Sequence, residues 1–163
     1  MLKIAEETYF FKSEKGLSSN IYLIEVEKQR ILIDSGATLF DKFKPNLCIL
    51  THGHFDHTGG VAEDWKTILH PAEFSFRGPY ILIPKNASKN TMKPIKIGEH
   101  VLEFFHTPGH TDGSICIFDK KTKLLFSGDT LFAGKITGRT DLGGSQKQLE
   151  KSLRIIKKIP YEL

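Results

Sequence analysis

The chain has 163 residues, of which 39% are hydrophobic and 26% charged, and this composition excludes a disordered chain and favours a soluble globular protein. Its length predicts a single domain over residues 1–163. The formal net charge is +4, but the basic residues are scattered and form no stripe, so we expect no nucleic-acid partner.

The first third of the chain is predicted to be mainly β-structure. Strands are expected at residues 8–12, 20–26, 30–34 and 47–50, with a hairpin turn at 27–29 and a helix-like link at 39–42. Acidic residues interrupt the N-terminal segment where a signal peptide needs an apolar run, and no apolar run has the length of a membrane span. We therefore expect no membrane partner.

The rest of the chain continues the β-pattern and adds helices. Strands are expected at residues 67–70, 95–97, 101–106, 114–118 and 123–127, and helices at 61–65, from Pro71 onward, and at 146–158 behind the cap residue Ser145. The proline-containing segment 78–94 is predicted to be a surface loop, either bordering a substrate pocket or without such a role. Two β-rich halves that each end in helices predict a layered α/β sandwich.

Both cysteines, Cys48 and Cys116, lie inside apolar strand-like runs. A chain of this size with two such residues has no disulfide framework, so buried thiols in a reducing compartment are expected. The sequence therefore predicts a cytoplasmic protein.

Three imidazoles and one carboxylate fall within six residues, between the predicted strand at 47–50 and a predicted helix start at 58–61. They are His52, His54, Asp56 and His57. Side chains two residues apart in an extended chain leave on the same face, so His52 and His54 can converge on one ion, and the other two would face a neighbouring position. Imidazole and carboxylate bind zinc, iron or manganese, so the cluster predicts one or two metal ions. A polar loop rich in His by chance is the disfavoured alternative, because the chain has only 7 His.

Two further turns carry candidate ligands at the ends of predicted strands. His110 lies in the turn at 107–114, and Asp129 lies in the turn at 126–130. Asp34 similarly follows the apolar run 31–33. Polar residues in these positions often face a site.

Taken together, these motifs resemble the metallo-β-lactamase-fold superfamily, and within it the glyoxalase II-like hydrolases. The motifs are H-x-H-x-D-H at 52–57, T-P-G-H-T-x-G-S at 107–114 and G-D-T-L-F at 128–132, and the resemblance covers nearly the whole chain. It implies an α/β (α+β) fold, the four-layer αββα sandwich, with a metal site at one edge of its two sheets. It also implies that His52, His54 and His110 bind a first metal, that Asp56 and His57 bind a second, and that Asp129 bridges them.

One departure concerns the end of the chain. Relatives add a last His ligand in a P-G-H-G-like turn after one more strand, whereas this sequence stops at 159–163. The expectation is a sandwich without its last strand and helix, and a second metal site with one imidazole fewer. An unpaired sheet edge would remain, which predicts association into homodimers or aggregates.

Several other residues have expected roles. Asp34 is expected to orient the loop that carries the His cluster, because metal-bound imidazoles usually donate their other N–H group to such a carboxylate. For Arg139 the resemblance implies a contact with an anionic substrate group, and a plain surface role is equally open. His70, His106 and His100, the last in a predicted turn, are expected to be structural or solvated.

The predicted activity is hydrolysis of a small-molecule ester or thioester, foremost one of the hydroxyacylglutathione type. A metal ion, foremost zinc, lowers the pKa of bound water to about 7, and the resulting hydroxide, held by Asp56 and Asp129, would attack the carbonyl. The preferred thiol stays open, because the chain has no room for the helical domain with which glyoxalase II holds glutathione.

Two alternatives to this activity stay open. A persulfide dioxygenase would hold one iron through His52, His110 and Asp129, and a non-catalytic binding module would turn over no ester. His57 distinguishes the chain from lactamases that carry Arg at this position.

Overall fold

The computed structural model describes residues 1–12 and 19–161. Of the final stretch 159–163, the last two residues lie outside the described part. The chain divides into two compact units. The first comprises Met1–Leu69 and Tyr80–Lys89, and the second comprises His70–Pro79 and Asn90–Leu163. Each unit is built on its own sheet. The prediction of a single domain over residues 1–163 stays a prediction.

The first unit contains a seven-stranded sheet with strands in sequence order. Its strands are β1 (Leu2–Ala5), β2 (Thr8–Phe11), β3 (Ile21–Val26), β4 (Gln29–Ile33), β5 (Leu47–Ile49), β6 (Thr67–Leu69) and β7 (Ala87–Lys89), and its helix is α1 (Phe55–Thr58). Strands β1 to β4 pair antiparallel, and β4 to β7 pair parallel. The predicted hairpin is confirmed, since Val26 pairs with Gln29 across it.

The central strands of this sheet carry apolar side chains, and these side chains are buried. Ile24, Leu32 and Ile49 are fully buried, which matches the continuous apolar runs in their strands. Phe40 packs edge-on against Phe11, and its ring centroid lies 5.5 Å from that of Phe11. Burial of such side chains provides the main stabilisation of this unit.

Two helix predictions in the first unit are wrong. Residues 39–42 form no helix, because the backbone N–H of Phe40 donates to the carbonyl of Gly60. Residues 61–65 form turns, and the helix lies earlier, at Phe55–Thr58. The glycines that suggested a helix start instead permit close backbone approach: a Cβ atom on Gly59 would lie 2.3 Å from the carbonyl oxygen of Ala37.

The predicted surface loop at 78–94 is only partly a loop. It contains β7, which pairs with β6, and Ile81 forms an isolated antiparallel bridge with His54. The short β7 run has no apolar alternation, and its pairing to β6 depends on tertiary contacts that a sequence pattern does not reveal.

The second unit contains a four-stranded antiparallel sheet in the order β11-β10-β9-β8. Its elements are β8 (Ile95–Ile97), β9 (His100–His106), β10 (Ile115–Asp119), β11 (Leu125–Phe126), α2 (Gln146–Ile156) and the 3-10 helices Pro71–Phe74 and Ala133–Lys135. Ser145 caps α2 as predicted, since its Oγ accepts a hydrogen bond from the N–H of Gln148. Leu149 and Ile156 form the buried face of that helix.

The candidate site residues follow strand ends in both units. Asp34 comes directly after β4, and the His cluster comes shortly after β5, at the carboxyl ends of two parallel neighbours. In the second unit, the turn with His110 follows β9 and the turn with Asp129 follows β11. Within the described part of the chain, none of the helices is long and apolar enough to traverse a lipid bilayer.

Candidate metal centre

His57 and Asp34 form a buried pair in the first unit. The Nδ1 atom of His57 lies 2.7 Å from Oδ2 of Asp34. A carboxylate only accepts, so Nδ1 carries the proton and the lone pair remains on Nε2. This is the tautomer that a metal ligand needs, and the orienting role of Asp34 stays a prediction with which the contact agrees.

Asp34 is itself held in place by Thr51. Its Oδ1 accepts from the backbone N–H of Thr51 at 2.8 Å, and its Oδ2 accepts from the Thr51 hydroxyl at 2.9 Å. The backbone of Asp34 is left-handed, with φ of 58°, a conformation that Asp tolerates better than most side chains. The carboxylate therefore joins the end of β4 to the start of the His cluster.

His52 and His54 converge as the sequence predicts. Nε2 of His52 lies 3.0 Å from Nδ1 of His54, and both rings are buried. Two nitrogens bound to one zinc at about 2.0 Å in tetrahedral geometry lie roughly 3.3 Å apart, so the observed spacing suits a shared ion. The His52 ring centroid also lies 4.1 Å from that of His57.

Asp56 lies beside the Nε2 atom of His57. Its Oδ2 lies 3.7 Å from Nε2 of His57, and its side chain is 25% exposed whereas the imidazole is buried. The loop around it is anchored, because the N–H and the hydroxyl of Ser35 both donate to the carbonyl of His57. The first unit thus presents three imidazoles and one carboxylate whose donor chemistry fits a divalent metal.

His110 carries the corresponding group in the second unit. Its Nδ1 donates to the carbonyl of Arg139 at 2.7 Å, so its Nε2 also keeps the lone pair. That Nε2 lies 3.5 Å from Oδ2 of Asp129, whose side chain is 26% exposed. An imidazole and a carboxylate therefore lie side by side here as well, and the assignment of each side chain to a particular metal stays a prediction.

Glu73 supports the turn that carries His110, and sequence reasoning missed it. Its carboxylate is fully buried and accepts from the Thr111 hydroxyl at 2.5 Å and from the Gly113 N–H at 2.7 Å. A Cβ atom on Gly113 would lie 2.6 Å from Oε1 of Glu73, so only glycine fits there. Glu73 and Thr111 are 38 positions apart, so no local motif links them.

Arg139 contributes its backbone to the site residues, while its side chain forms an ion pair. The guanidinium contacts Asp141 through two hydrogen bonds, with Nε 2.6 Å from Oδ1. That contact lowers the pKa of Asp141 to about 2. The predicted substrate contact of Arg139 stays a prediction.

The remaining histidines, His70, His100 and His106, make other contacts. His100 is buried at the start of β9 rather than in the predicted turn, and its Nδ1 lies 2.7 Å from Asp119. His70 and His106 stack with ring centroids 4.1 Å apart. Burial, and to a lesser extent the neighbouring His106, lowers the pKa of His70 to about 4.

Both thiols are buried and free, as predicted. Burial raises the pKa of Cys116 to about 11 and that of Cys48 well above its usual value. Neither thiol therefore supplies a nucleophile at neutral pH.

Residues 15–163 match the family model described as metallo-beta-lactamase superfamily. Probable metallo-hydrolase YqgX of Bacillus subtilis (strain 168) is 34% identical, over 84% of this chain and 77% of that protein. Acyl-coenzyme A thioesterase MBLAC2 of Homo sapiens is 28% identical, over 76% of this chain and 62% of the thioesterase. Hydroxyacylglutathione hydrolase of Salmonella typhi is 33% identical, over 82% of this chain and 54% of the hydrolase. The chain thus spans less than two thirds of the length of the last two relatives.

Solved structures resemble the chain over most of its length. The crystal structure of BLEG-1 B3 metallo-beta-lactamase aligns with a TM-score of 0.71 at 27% identity, covering 90% of this chain and 83% of that chain. The crystal structure of TTHA1623 in a di-iron-bound form aligns with a TM-score of 0.69 at 27% identity, covering 91% and 85%. These likenesses confirm the α/β sandwich class predicted from the sequence.

Proposed function

Because the chain belongs to the metallo-beta-lactamase superfamily, whose members are mostly metal-dependent hydrolases, we propose that it hydrolyses small-molecule thioesters with bound zinc. The observation that carries this proposal is the pair of oriented imidazoles. In His57 and His110 alike, Nδ1 is engaged by an oxygen acceptor and Nε2 keeps its lone pair.

The proposed ligand sets are those that the family resemblance implies. His52, His54 and His110 would hold a first ion, Asp56 and His57 a second, and Asp129 would be shared between them. The buried imidazoles and the carboxylate chemistry fit such ions. When bound, the metal supplies Lewis acidity that polarises a carbonyl and lowers the pKa of water.

The two carboxylates have a second task besides holding the ions. Asp56 and Asp129 are each about one quarter exposed, whereas the imidazoles beside them are buried. A water molecule that approaches the site reaches these carboxylates, and they orient it by accepting its hydrogens and hold the proton that it loses. Asp34 fixes the ring of His57 and takes no part in proton transfer.

The thioester specificity rests on two relatives. One is named as an acyl-coenzyme A thioesterase and another as a hydroxyacylglutathione hydrolase. Thioester hydrolysis suits a site that activates water and needs no nucleophilic Ser or Cys. Both relatives are longer than the part that this chain spans, so neither relative identifies the thiol carrier.

The test is thiol release from acetyl-coenzyme A and from S-lactoylglutathione by the zinc-loaded full chain, with metal content measured in parallel. We expect turnover of at least one thioester, and we expect His52→Ala and His110→Ala to lose bound metal and to lower kcat/KM by more than about 100-fold. His106→Gln is the control, because Gln keeps a donor for the carbonyl of Asp112 that His106 contacts.

Other outcomes would replace the proposal. One bound iron with oxygen consumption on a persulfide substrate would identify a dioxygenase. Hydrolysis of a β-lactam without thioester turnover would identify a lactamase. Loaded protein that turns over none of these substrates would support a non-catalytic binding module.

A further inference from the structure

Tyr80 has an unusual backbone conformation for an exposed aromatic residue. Its φ is 65°, in the left-handed region that bulky side chains rarely adopt, and 63% of the residue is exposed. A strained residue persists when the surrounding structure over-determines it, and such residues cluster at functional sites. Tyr80 follows Pro79 in a turn where the left-handed residue is usually Gly or Asn, so a tyrosine there needs an explanation beyond packing.

Three hydrogen bonds hold the segment around Tyr80 against the loop of candidate metal ligands. Its carbonyl accepts from the N–H of Phe55 at 2.9 Å. The N–H of Leu82 donates to the carbonyl of Gly53 at 2.9 Å, and its carbonyl accepts from the Thr58 hydroxyl at 2.6 Å. The residue between them, Ile81, forms a bridge with His54. Tyr80 thus comes directly before a segment that is hydrogen-bonded to the loop of candidate metal ligands.

Three apolar side chains lie on these two paired stretches, Phe55 on the loop and Tyr80 and Leu82 on the segment, and we call them the Tyr80 patch. The rings of Phe55 and Tyr80 lie 6.1 Å apart between centroids, and Leu82 is 47% exposed. Phe55 stands between the proposed ligands His54 and Asp56 in sequence. The patch thus includes a residue of the loop at which the reacting carbonyl would bind.

We propose that the Tyr80 patch binds the apolar acyl chain of the thioester substrate and makes the enzyme prefer longer acyl groups. This inference rests on the proposed function. The acyl end is the one that fits, because thiol carriers such as coenzyme A and glutathione are polar and anionic, and the three side chains of the patch carry no positive charge. Covering exposed aromatic and aliphatic surface with an alkyl chain is favourable.

The experiment separates this role from a structural one, because a substitution at Tyr80 can remove the ring without straining the backbone. Tyr80→Gly removes the ring and also relieves the left-handed strain, so the melting temperature should stay equal or rise. The ratio of kcat/KM for decanoyl over acetyl thioesters of N-acetylcysteamine should fall about tenfold. Tyr80→Asn, which tolerates the same conformation, should give the same fall and guards against a folding defect in the glycine variant.

Glu27→Gly is the matched control. Glu27 is also left-handed, with φ of 53°, but lies in the β3–β4 hairpin turn. It should show the same relief of strain with an unchanged chain-length preference. A fall in preference in both glycine variants would overturn the proposal, as would an unchanged preference in Tyr80→Gly.

A binding measurement keeps this inference distinct from the proposed function. Titration calorimetry would use the decyl thioether of N-acetylcysteamine, which cannot be hydrolysed, and its ethyl analogue. Tighter binding of the decyl compound by the wild type, lost in Tyr80→Gly, supports the patch even if no thioester is turned over. Equal binding by both proteins overturns it, even if thioesters are hydrolysed. A change of solution mass in Tyr80→Gly, without a change in preference, would instead identify a contact between copies of the chain.

Discussion

Two buried pairs of histidine and aspartate have the same geometry and different surroundings. In the first unit, Nδ1 of His57 lies 2.7 Å from Oδ2 of Asp34, and in the second, Nδ1 of His100 lies 2.7 Å from Oδ2 of Asp119. Both pairs are almost fully buried. The pair alone therefore does not distinguish a site residue from a structural one.

The neighbours of each carboxylate make the difference. Asp119 also accepts from the N–H groups of Lys121 and Thr122 and from the Thr122 hydroxyl, which closes the turn after β10. Asp34 accepts from Thr51, at the start of the loop that carries the other imidazoles. The same pair locks a turn in one unit and orients a candidate metal ligand in the other.

The largest expected effect is on stability, at the structural pair. Asp119→Ala leaves His100 buried without its carboxylate and also removes three acceptor contacts, so the free energy of unfolding should fall by about 3–5 kcal/mol. Chemical denaturation measures this loss. Asp64→Ala is the control, because Asp64 forms an exposed ion pair with Lys44, and it should leave the midpoint unchanged. A loss in Asp119→Ala as small as that of the control would refute the structural role.

The second effect is on metal binding, at the other pair. Asp34→Asn keeps the shape of the side chain but removes the charge that favours the protonated Nδ1 of His57, so zinc affinity should fall about 10- to 100-fold. Competition with a zinc chelator measures the affinity. Asp119→Asn should leave that affinity unchanged, and equal losses in the two variants would mean that the pairs do not differ in role.

The smallest effect is on the pH dependence of stability, at His70, whose neighbour is the imidazole of His106. Because the pKa of His70 is lowered to about 4, the unfolded chain binds a proton there at higher pH than the folded chain does. Stability should therefore fall as the pH is lowered from about 6.5 towards 4, with no such contribution above that range. The fall is modest, because the ring is only partly buried and solvent screens its charge.

His70→Asn tests this pH dependence, because the N–H of Ala72 donates to Nδ1 of His70 and the Asn side chain offers an acceptor in its place. Unfolding curves at pH 7 and pH 5 should show a smaller loss in the variant than in the wild type. Equal losses in the variant and the wild type would mean that a group other than His70 causes the pH dependence.

Much of the local structure was predictable because its signals are local. The strand at Leu47–Ile49, the hairpin after β3 and the Ser145 cap follow from apolar runs, turn residues and a capping side chain within a few positions of one another. The His cluster was visible for the same reason, since its three imidazoles and one carboxylate lie within six positions.

Contacts between distant positions were not predictable from these signals. The carboxylate of Glu73 meets a hydroxyl 38 positions away, and His100 meets a carboxylate 19 positions away. Pro79 indicates a turn in the sequence, but a tyrosine at position 80 gives no sign of the left-handed backbone that the structure has there.

The sequence by itself determined which side chains can bind a metal, because imidazole and carboxylate are properties of single residues and their spacing is set by the local chain. Tertiary structure decided how those side chains are oriented and what supports them. The proton on Nδ1 of His57 depends on Asp34, 23 positions away, and that of His110 depends on a carbonyl 29 positions away. Tautomer and orientation follow from the partner that each ring meets in the folded chain, and only folding brings such distant partners within hydrogen-bond distance.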